Sequence, residues 1–213
     1  MTGALAADLS RLIGSGSVSA DRQQIERYSG DALGVYRAFR AAPRMEAKAK
    51  VVVWPTCTEH VSSILKYAQS SRVAVVPYGG GTGVMGAAAP VHDCIILNLQ
   101  RMNTVLDVDS RDMSARLQPG VVLDDAYAAF RSQGLLMGHD PWSRPIATVG
   151  GAISTNGMGY LAAKYGSMGE QVLGMEAVLP DGEVVRSSGV PKPSYGPSLN
   201  SLLIGTEGTL GVV

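Results

Sequence analysis

Residues 75 to 86 read VVPYGGGTGVMG. An apolar run stops at Pro77-Tyr78, and four glycines then fall among the five residues 79 to 83. Glycine adopts backbone conformations closed to other residues and presents no side chain, so such a cluster lets consecutive backbone N–H groups close on a ligand. A tight turn needed only for chain geometry is the rival reading. Four glycines in five positions exceed what a turn requires, so a ligand is expected. Gly81, Gly83 and Gly86 also satisfy G-x-G-x-x-G after a strand. That fingerprint needs the loop to open a helix returning to a parallel strand. Here AAAPVHDCIILNL places a proline at 90 and a new strand from about 94, leaving no room for a helical crossover. The pattern therefore argues against a Rossmann nicotinamide site, and the Lys-Ser/Thr pair of a Walker loop is missing.

Upstream, KVVVWP reads as a short buried strand ended by Pro55. In TCTEHVSSILKYAQSS, Thr56 and Glu59 have capping-box spacing, and Val61, Ile64, Leu65 and Ala68 fall on one helical face. With VAVVPY as the next strand, residues 50 to 78 form a βαβ unit whose strands should run parallel. Before it, residues 1 to 46 read as a helical lead-in. Ser19 is the expected cap of SADRQQIERYS, and RAAPRMEAKAK is an exposed connector. Downstream, CIILNL is a strand, and TVLDVDSRDMSARLQPG is two strands around Asp109–Asp112. VVLDDAYAAFRSQG is a helix closed by Gly134, and VLGMEAVLPDGEVVRSSG is a hairpin turning at Pro180-Asp181-Gly182. The expected fold class is α+β. A small parallel βαβ sheet (residues 47 to 105) precedes a larger, mainly antiparallel sheet with flanking helices (106 to 213).

Composition narrows the function. The 213 residues are 46% hydrophobic and 17% charged, and 18 Lys+Arg balance 18 Asp+Glu. No net field or basic run recruits nucleic acid or anionic lipid. No apolar run approaches the roughly 20 residues of a membrane helix. Asp8 and Arg11 interrupt any signal-like start, making a cytoplasmic location the default expectation. Cys57 and Cys94 suit neither a disulfide scaffold nor a metal site, and both are expected to be small buried residues. Three scattered histidines add no metal spacing, so no metal is expected. His60 is placed on the exposed side of its helix, and His92 in a loop beside Asp93.

Two further glycine clusters follow, ATVGGAISTNGMG (147 to 159) and IGTEGTLGVV (204 to 213), the first preceded by GHDPWSRP. Three glycine-rich segments separated by regular structure suggest one extended ligand, with phosphates at the first and a planar head group at the others. His139, just before Asp140, is open to either packing or ligand contact. Trp142, Tyr160 and Tyr165 are candidates to cover the head group, against the ordinary reading as core.

Six segments in order, PYGGGTG, LQPGVVLDDAY, DPWS, ATVGGAISTNGMG, KYGSMGEQVLGMEAVLPDGEVV and IGTEGTLGVV, carry a resemblance. From Val51 to Val213 the chain closely resembles the FAD-binding domain of the vanillyl-alcohol oxidase, or PCMH, type of flavoproteins. It is nearest the glycolate oxidase and D-lactate dehydrogenase branch, with some similarity to alkylglycerone-phosphate synthase. The resemblance implies that Tyr78, Gly79, Gly80, Gly81, Thr82 and Gly83 wrap the FAD diphosphate. It implies that Asp140, Pro141, Ser143, Thr148, Gly150, Gly151, Ser154, Asn156 and Gly157 line the flavin and its ribityl chain. Glu207, Gly208 and Val212 would touch the adenine end or the dinucleotide middle. Relatives that tether flavin through this loop use a histidine, and residues 78 to 86 hold neither His nor Cys, so the FAD should be non-covalent.

The activity so implied is oxidation of a small 2-hydroxy acid by hydride transfer to the flavin, with an unspecified electron acceptor. The alternatives are a synthase-like FAD transferase and a flavin-binding subunit without catalysis. The synthase pattern has an arginine where this chain has Asn156, which favours the dehydrogenases. In the family a substrate-capping domain supplies most catalytic groups and follows where this sequence stops. That domain is expected to be missing here, the chain to be inactive alone, and no catalytic residue is named.

Overall fold

A computed structural model describes residues 2–33, 48–90, 92–190 and 196–213. Ala49–Val53 (β2), with three consecutive β-branched valines, is an inner strand of a four-stranded sheet. The sheet order is β1 (Val18–Ser19), β2, β4 (Cys94–Asn98), β3 (Ala74–Tyr78). β2 and β3 each pair in parallel with β4, while β1 is antiparallel to β2. The βαβ strands are parallel as read, but β4 is inserted between them.

Alternation along these strands assigns two faces. Val51, Val53, Ile95 and Leu97 point into one core, where helix α3 (Thr58–Ser71) buries Val61, Ile64, Leu65 and Ala68. Helix α1 (Thr2–Ile13) packs its Leu9 and Ile13 into the same core. Val52, Cys94, Ile96 and Tyr78 face the other way and meet Ile25 of α2 (Arg22–Arg27). A sheet covered on both faces requires the near-continuous apolar runs seen in KVVV and CIIL.

A second core forms around helix α4 (Leu123–Ser132) and the short helix α5 (Val149–Ser154). Hairpin β5–β6 (Val105–Asp109, Ser114–Leu117) packs Val105 and Leu117 against it. The antiparallel pairing is divided between this hairpin and β7–β8 (Glu176–Val178, Val184–Arg186), which turns at Gly182 with φ +82°. The last hairpin returns to the first core: Val178 and Val212 are buried there and pair with one another. Sequence order and spatial order therefore part company after residue 175.

Several local expectations are corrected. Asp21, not Ser19, caps α2 by accepting from the Gln24 N–H at 3.0 Å. Ser19 belongs to β1, and its Oγ accepts from the Asp21 N–H. Thr56 and Glu59 make no capping box, because α3 begins one residue later with Cys57 as its cap position. Thr56 instead bonds His60 Nδ1, which leaves His60 half-buried rather than exposed. Cys94 is buried, and its thiol is pushed up to about 11 by desolvation, whereas Cys57 is only half-buried. Within the second glycine cluster, Val149–Ser154 form the short helix α5. Most of the connector expected at 40 to 50 lies outside the described residues; its last residues, from Ala49, begin β2.

Candidate functional site

β3 delivers the chain to Tyr78, which is buried, and the backbone then turns away through Gly79–Gly83. Among the described residues, no backbone N–H of Gly80, Gly81, Thr82 or Gly83 donates a hydrogen bond within the protein. Consecutive free donors of this kind form a concave anion-binding nest. No helix follows, and Cys94 already opens β4.

The loop packs on the segment that enters α5. A Cβ on Gly79 would stand 2.5 Å from Thr148 Oγ1, and one on Gly80 would overlap the Ile146 carbonyl oxygen. Gly81 has φ +65°, a conformation that L side chains resist. Thr148 caps α5 by accepting from the Gly151 N–H, and Gly150 is pressed against Pro119, 2.6 Å from where its Cβ would sit. Close approach thus requires glycine at 79 and 80, against residues 146–151, and at 150, against Pro119.

The loop's outer end is held by a residue the sequence reading passed over. The Asp31 carboxylate accepts from the Gly86 N–H at 2.9 Å, and the Ala32 N–H donates to the Gly83 carbonyl at 2.8 Å. Tyr28 wedges edge-on between Trp54 and Tyr78. Nothing in the short run RYSGDALG marks that role, because it depends on contacts across more than 50 positions.

Together these segments bound a cleft of about 370 Å³. Sixteen of the eighteen residues expected to bind cofactor line it; Asp140 and Asn156 are the two that do not. Asp140 is tied to Arg144 at 3.2 Å, and Arg144 also pairs with Asp124 and lies 4.4 Å over the Tyr127 ring. This clamp holds the loop carrying Pro141 and Ser143. Asn156 has φ +48°, and its Oδ1 accepts from the Gly169 N–H, fixing the turn after α5. The third cluster closes the cleft: the Glu207 N–H donates to the Ser154 carbonyl, and Gly208 at φ +83° packs on Pro77.

Of the aromatic candidates, only Trp142 lines the cleft; Tyr160 and Tyr165 lie elsewhere. Met85, Met158 and Val84 join Trp142 as exposed apolar side chains at its rim. No Lys or Arg lines it among the described residues, so a bound anion would rest on backbone N–H groups. No group of His, Cys, Asp and Glu suited to a metal ion occurs among the described residues. His139 lines the cleft and is 2% exposed, with its Nδ1 unpartnered. Burial lowers its pKa, partly opposed by Asp140, so the ring is neutral near pH 7.

The glycine loop with its free N–H groups, the largely apolar walls and the lack of a helix after the loop set this cleft apart from the Rossmann class. The chain belongs to the FAD binding domain family, whose model matches residues 49–188. It is 36% identical over 177 residues to glycolate oxidase subunit GlcD of Bacillus subtilis, covering 83% of this chain and 38% of that protein. It is 38% identical over 169 residues to D-lactate dehydrogenase of Anaerostipes hadrus, covering 79% of this chain and 35% of that protein. Among solved structures, an alkyldihydroxyacetonephosphate synthase superposes with TM-score 0.87 at 25% identity, over 99% of this chain and 38% of that one. The chain thus spans little more than a third of the length of these proteins. Its cofactor is FAD, and the free loop donors and the glycine contacts fit that group.

Proposed function

We propose that the chain is the cofactor-binding part of an FAD-dependent oxidoreductase that oxidises a small 2-hydroxy acid of the D-lactate or glycolate type. The observation that carries this reading is the nest of free N–H groups at Gly80–Gly83, seated on α5 beside a largely apolar cleft. FAD supplies a two-electron acceptor for the hydride on the substrate's C2, the hydroxyl proton leaves to a base, and a 2-keto acid results. The chain's own residues then have separable tasks. Tyr78–Gly83 hold the diphosphate through backbone donors, with no lysine needed. Pro141, Ser143, Thr148, Gly150, Gly151, Ser154 and Gly157 line the ribityl and flavin portion. Glu207, Gly208 and Val212 close the side nearer the sheet. Asp140 and Asn156 act at one remove, by shaping their loops.

Substrate oxidation also needs a cation for the carboxylate and a base at the hydroxyl. No Lys or Arg lines the cleft among the described residues, so we assign no carboxylate-binding cation to this chain, and we name no base. Slow turnover by these 213 residues alone is expected. Anaerobic mixing of the flavin-loaded protein with D-lactate or glycolate, followed at the flavin absorbance band, tests both points. Slow bleaching with stoichiometric keto acid supports the reading. Rapid bleaching would show a complete active site in this chain, and no bleaching even in a longer chain would remove the substrate class.

The synthase-like transferase remains the second reading because of the superposition with alkyldihydroxyacetonephosphate synthase. Against it stands Asn156, exposed, turned to Gly169 and outside the cleft. Formation of an ether-lipid precursor without keto acid would favour the synthase.

A further inference from the structure

The glycine loop runs into a bend that is held open from outside. The chain bends at residues 84–86, where a four-residue turn would close by a bond from the Gly86 N–H to the Gly83 carbonyl. That bond is not made. The Gly86 N–H donates to Asp31 Oδ2 at 2.9 Å, and the Gly83 carbonyl accepts from the Ala32 N–H at 2.8 Å. Residues 31 and 32 thus occupy both halves of the bond that would shut the turn.

This splint is itself braced. Asp31 Oδ1 accepts from the Leu33 N–H at 2.9 Å, so each carboxylate oxygen holds one backbone donor. A Cβ on Gly83 would stand 3.3 Å from Asp31 Oδ2, and one on Gly86 would stand 3.2 Å from Leu33 Cδ2. The other end of the loop is fixed by the close contacts of Gly79 and Gly80 with residues 146–151. Between these two anchors lie the free N–H groups of Gly80–Gly83. Charge does not explain why an acid stands at position 31. Asp31 lines a cleft that holds no Lys or Arg among the described residues, and an anion beside a diphosphate is unfavourable. What the carboxylate contributes is therefore its geometry.

We propose that Asp31 is a positioning residue for the cofactor: it splints the 83–86 turn open and so keeps the N–H groups of Gly80–Gly83 set for a diphosphate. The inference rests on the placement of the FAD diphosphate in that loop. Without the splint, the Gly86 N–H and the Gly83 carbonyl are free to bond each other and draw the end of the loop inward. Only molecules with the turn open then bind, and the apparent affinity falls by that fraction.

The experiment compares wild type, Asp31→Asn and Asp31→Ala, each stripped of flavin and mixed with FAD. Flavin fluorescence gives the affinity at equilibrium and, by stopped flow, both rates. Asn and Ala remove the same charge, but Asn keeps an oxygen that can accept from the Gly86 N–H. Asp31→Asn should bind FAD within about threefold of wild type. Asp31→Ala should bind about five- to tenfold more weakly than Asp31→Asn, the worth of the one turn bond that must be reopened. That loss should lie in the association rate, with dissociation unchanged, because the occupied loop is open in both variants. The Tm of flavin-free Asp31→Ala should stay within about 2 °C of Asp31→Asn, since the turn bond replaces the one removed. Equal FAD affinities for the two variants would show that the bond to Gly86 is idle and overturn the proposal. A loss carried by the dissociation rate would mean that Asp31 touches the ligand itself, which overturns the positioning role. Failure of wild type to bind FAD at all would instead refute the diphosphate placement.

Discussion

Gly80 has no space for a side chain: its missing Cβ points at the Ile146 carbonyl oxygen and lies 3.0 Å from Ala147 Cα. Both obstacles are backbone, so neither can rotate away. Gly80→Val adds a branched side chain there and should shift the loop by enough to cost about 2 kcal/mol, roughly thirtyfold in FAD affinity. Isothermal titration with FAD checks this, and affinity within threefold of wild type would remove Gly80 from the nest. Gly3 is the matched control, with nothing within 4 Å of its missing Cβ, and Gly3→Ala should leave FAD binding unchanged. His139 makes a pH prediction. Burial lowers its folded pKa below the ordinary 6.5, so the unfolded chain takes up the proton first as pH falls. Its effect on stability is absent above about pH 6.5, and stability is lost as pH falls from there through the folded pKa. Flavin-free wild type should therefore lose Tm relative to His139→Leu between pH 7 and 5; parallel Tm curves would contradict the buried neutral ring.

Among the elements, α1 shows how a segment that looks peripheral becomes structural. Leu9 has no exposed surface and packs with Val51, Val53 and Ile95 of the central strands. Leu9→Ala should cost about 3 kcal/mol, as a truncation in a filled core does. The Tm should fall by about 6–12 °C on thermal denaturation. A loss below 2 °C would mean that the helix is dispensable to the sheet. The opposite face depends on the N-terminal segment too, through Ile25, Tyr28 and Asp31, which reach the sheet and the far end of the glycine loop. Perturbing this segment should therefore weaken FAD binding even though most of it lies far from the diphosphate nest.

Among the described residues there are three apolar clusters, one on each face of the four-stranded sheet and one around α4 and α5, and the third glycine cluster bridges the first of these to the last. Val212 is buried in the first, while the adjacent Val213 packs against the last. A ligand touching walls from both cores stabilises both at once. FAD at a hundredfold excess over its Kd should add about 2.7 kcal/mol. That corresponds to a rise of roughly 5–11 °C in a single transition. NAD at the same concentration should leave Tm unchanged, and an equal shift with NAD would contradict the assigned cofactor. Acid precipitation should release the flavin into the supernatant, since no cysteine lines the cleft and His139 is its only histidine among the described residues. A yellow pellet carrying flavin on the His139 peptide would show a covalent bond. No helix among the described residues is long and apolar enough to cross a membrane.

What the sequence by itself determined was local or periodic. The spacing of Val61, Ile64, Leu65 and Ala68 dictates the buried face of α3, and the short interval from Gly86 to Cys94 rules out a Rossmann helix. The order of six segments named the family because each keeps its own local pattern. The caps were less legible, since Ser19 and Asp21 both suit the role and a shift of two residues decides between them. Only the tertiary structure could insert β4 between β2 and β3, because strand order depends on pairing that no single segment encodes. The same holds for Asp31 on Gly86 and for the Asp140–Arg144–Asp124 clamp, whose members lie far apart in sequence or on different segments. His139 is the sharpest instance. Its neighbours in sequence suggest a loop residue, whereas the fold buries it with Nδ1 unpartnered.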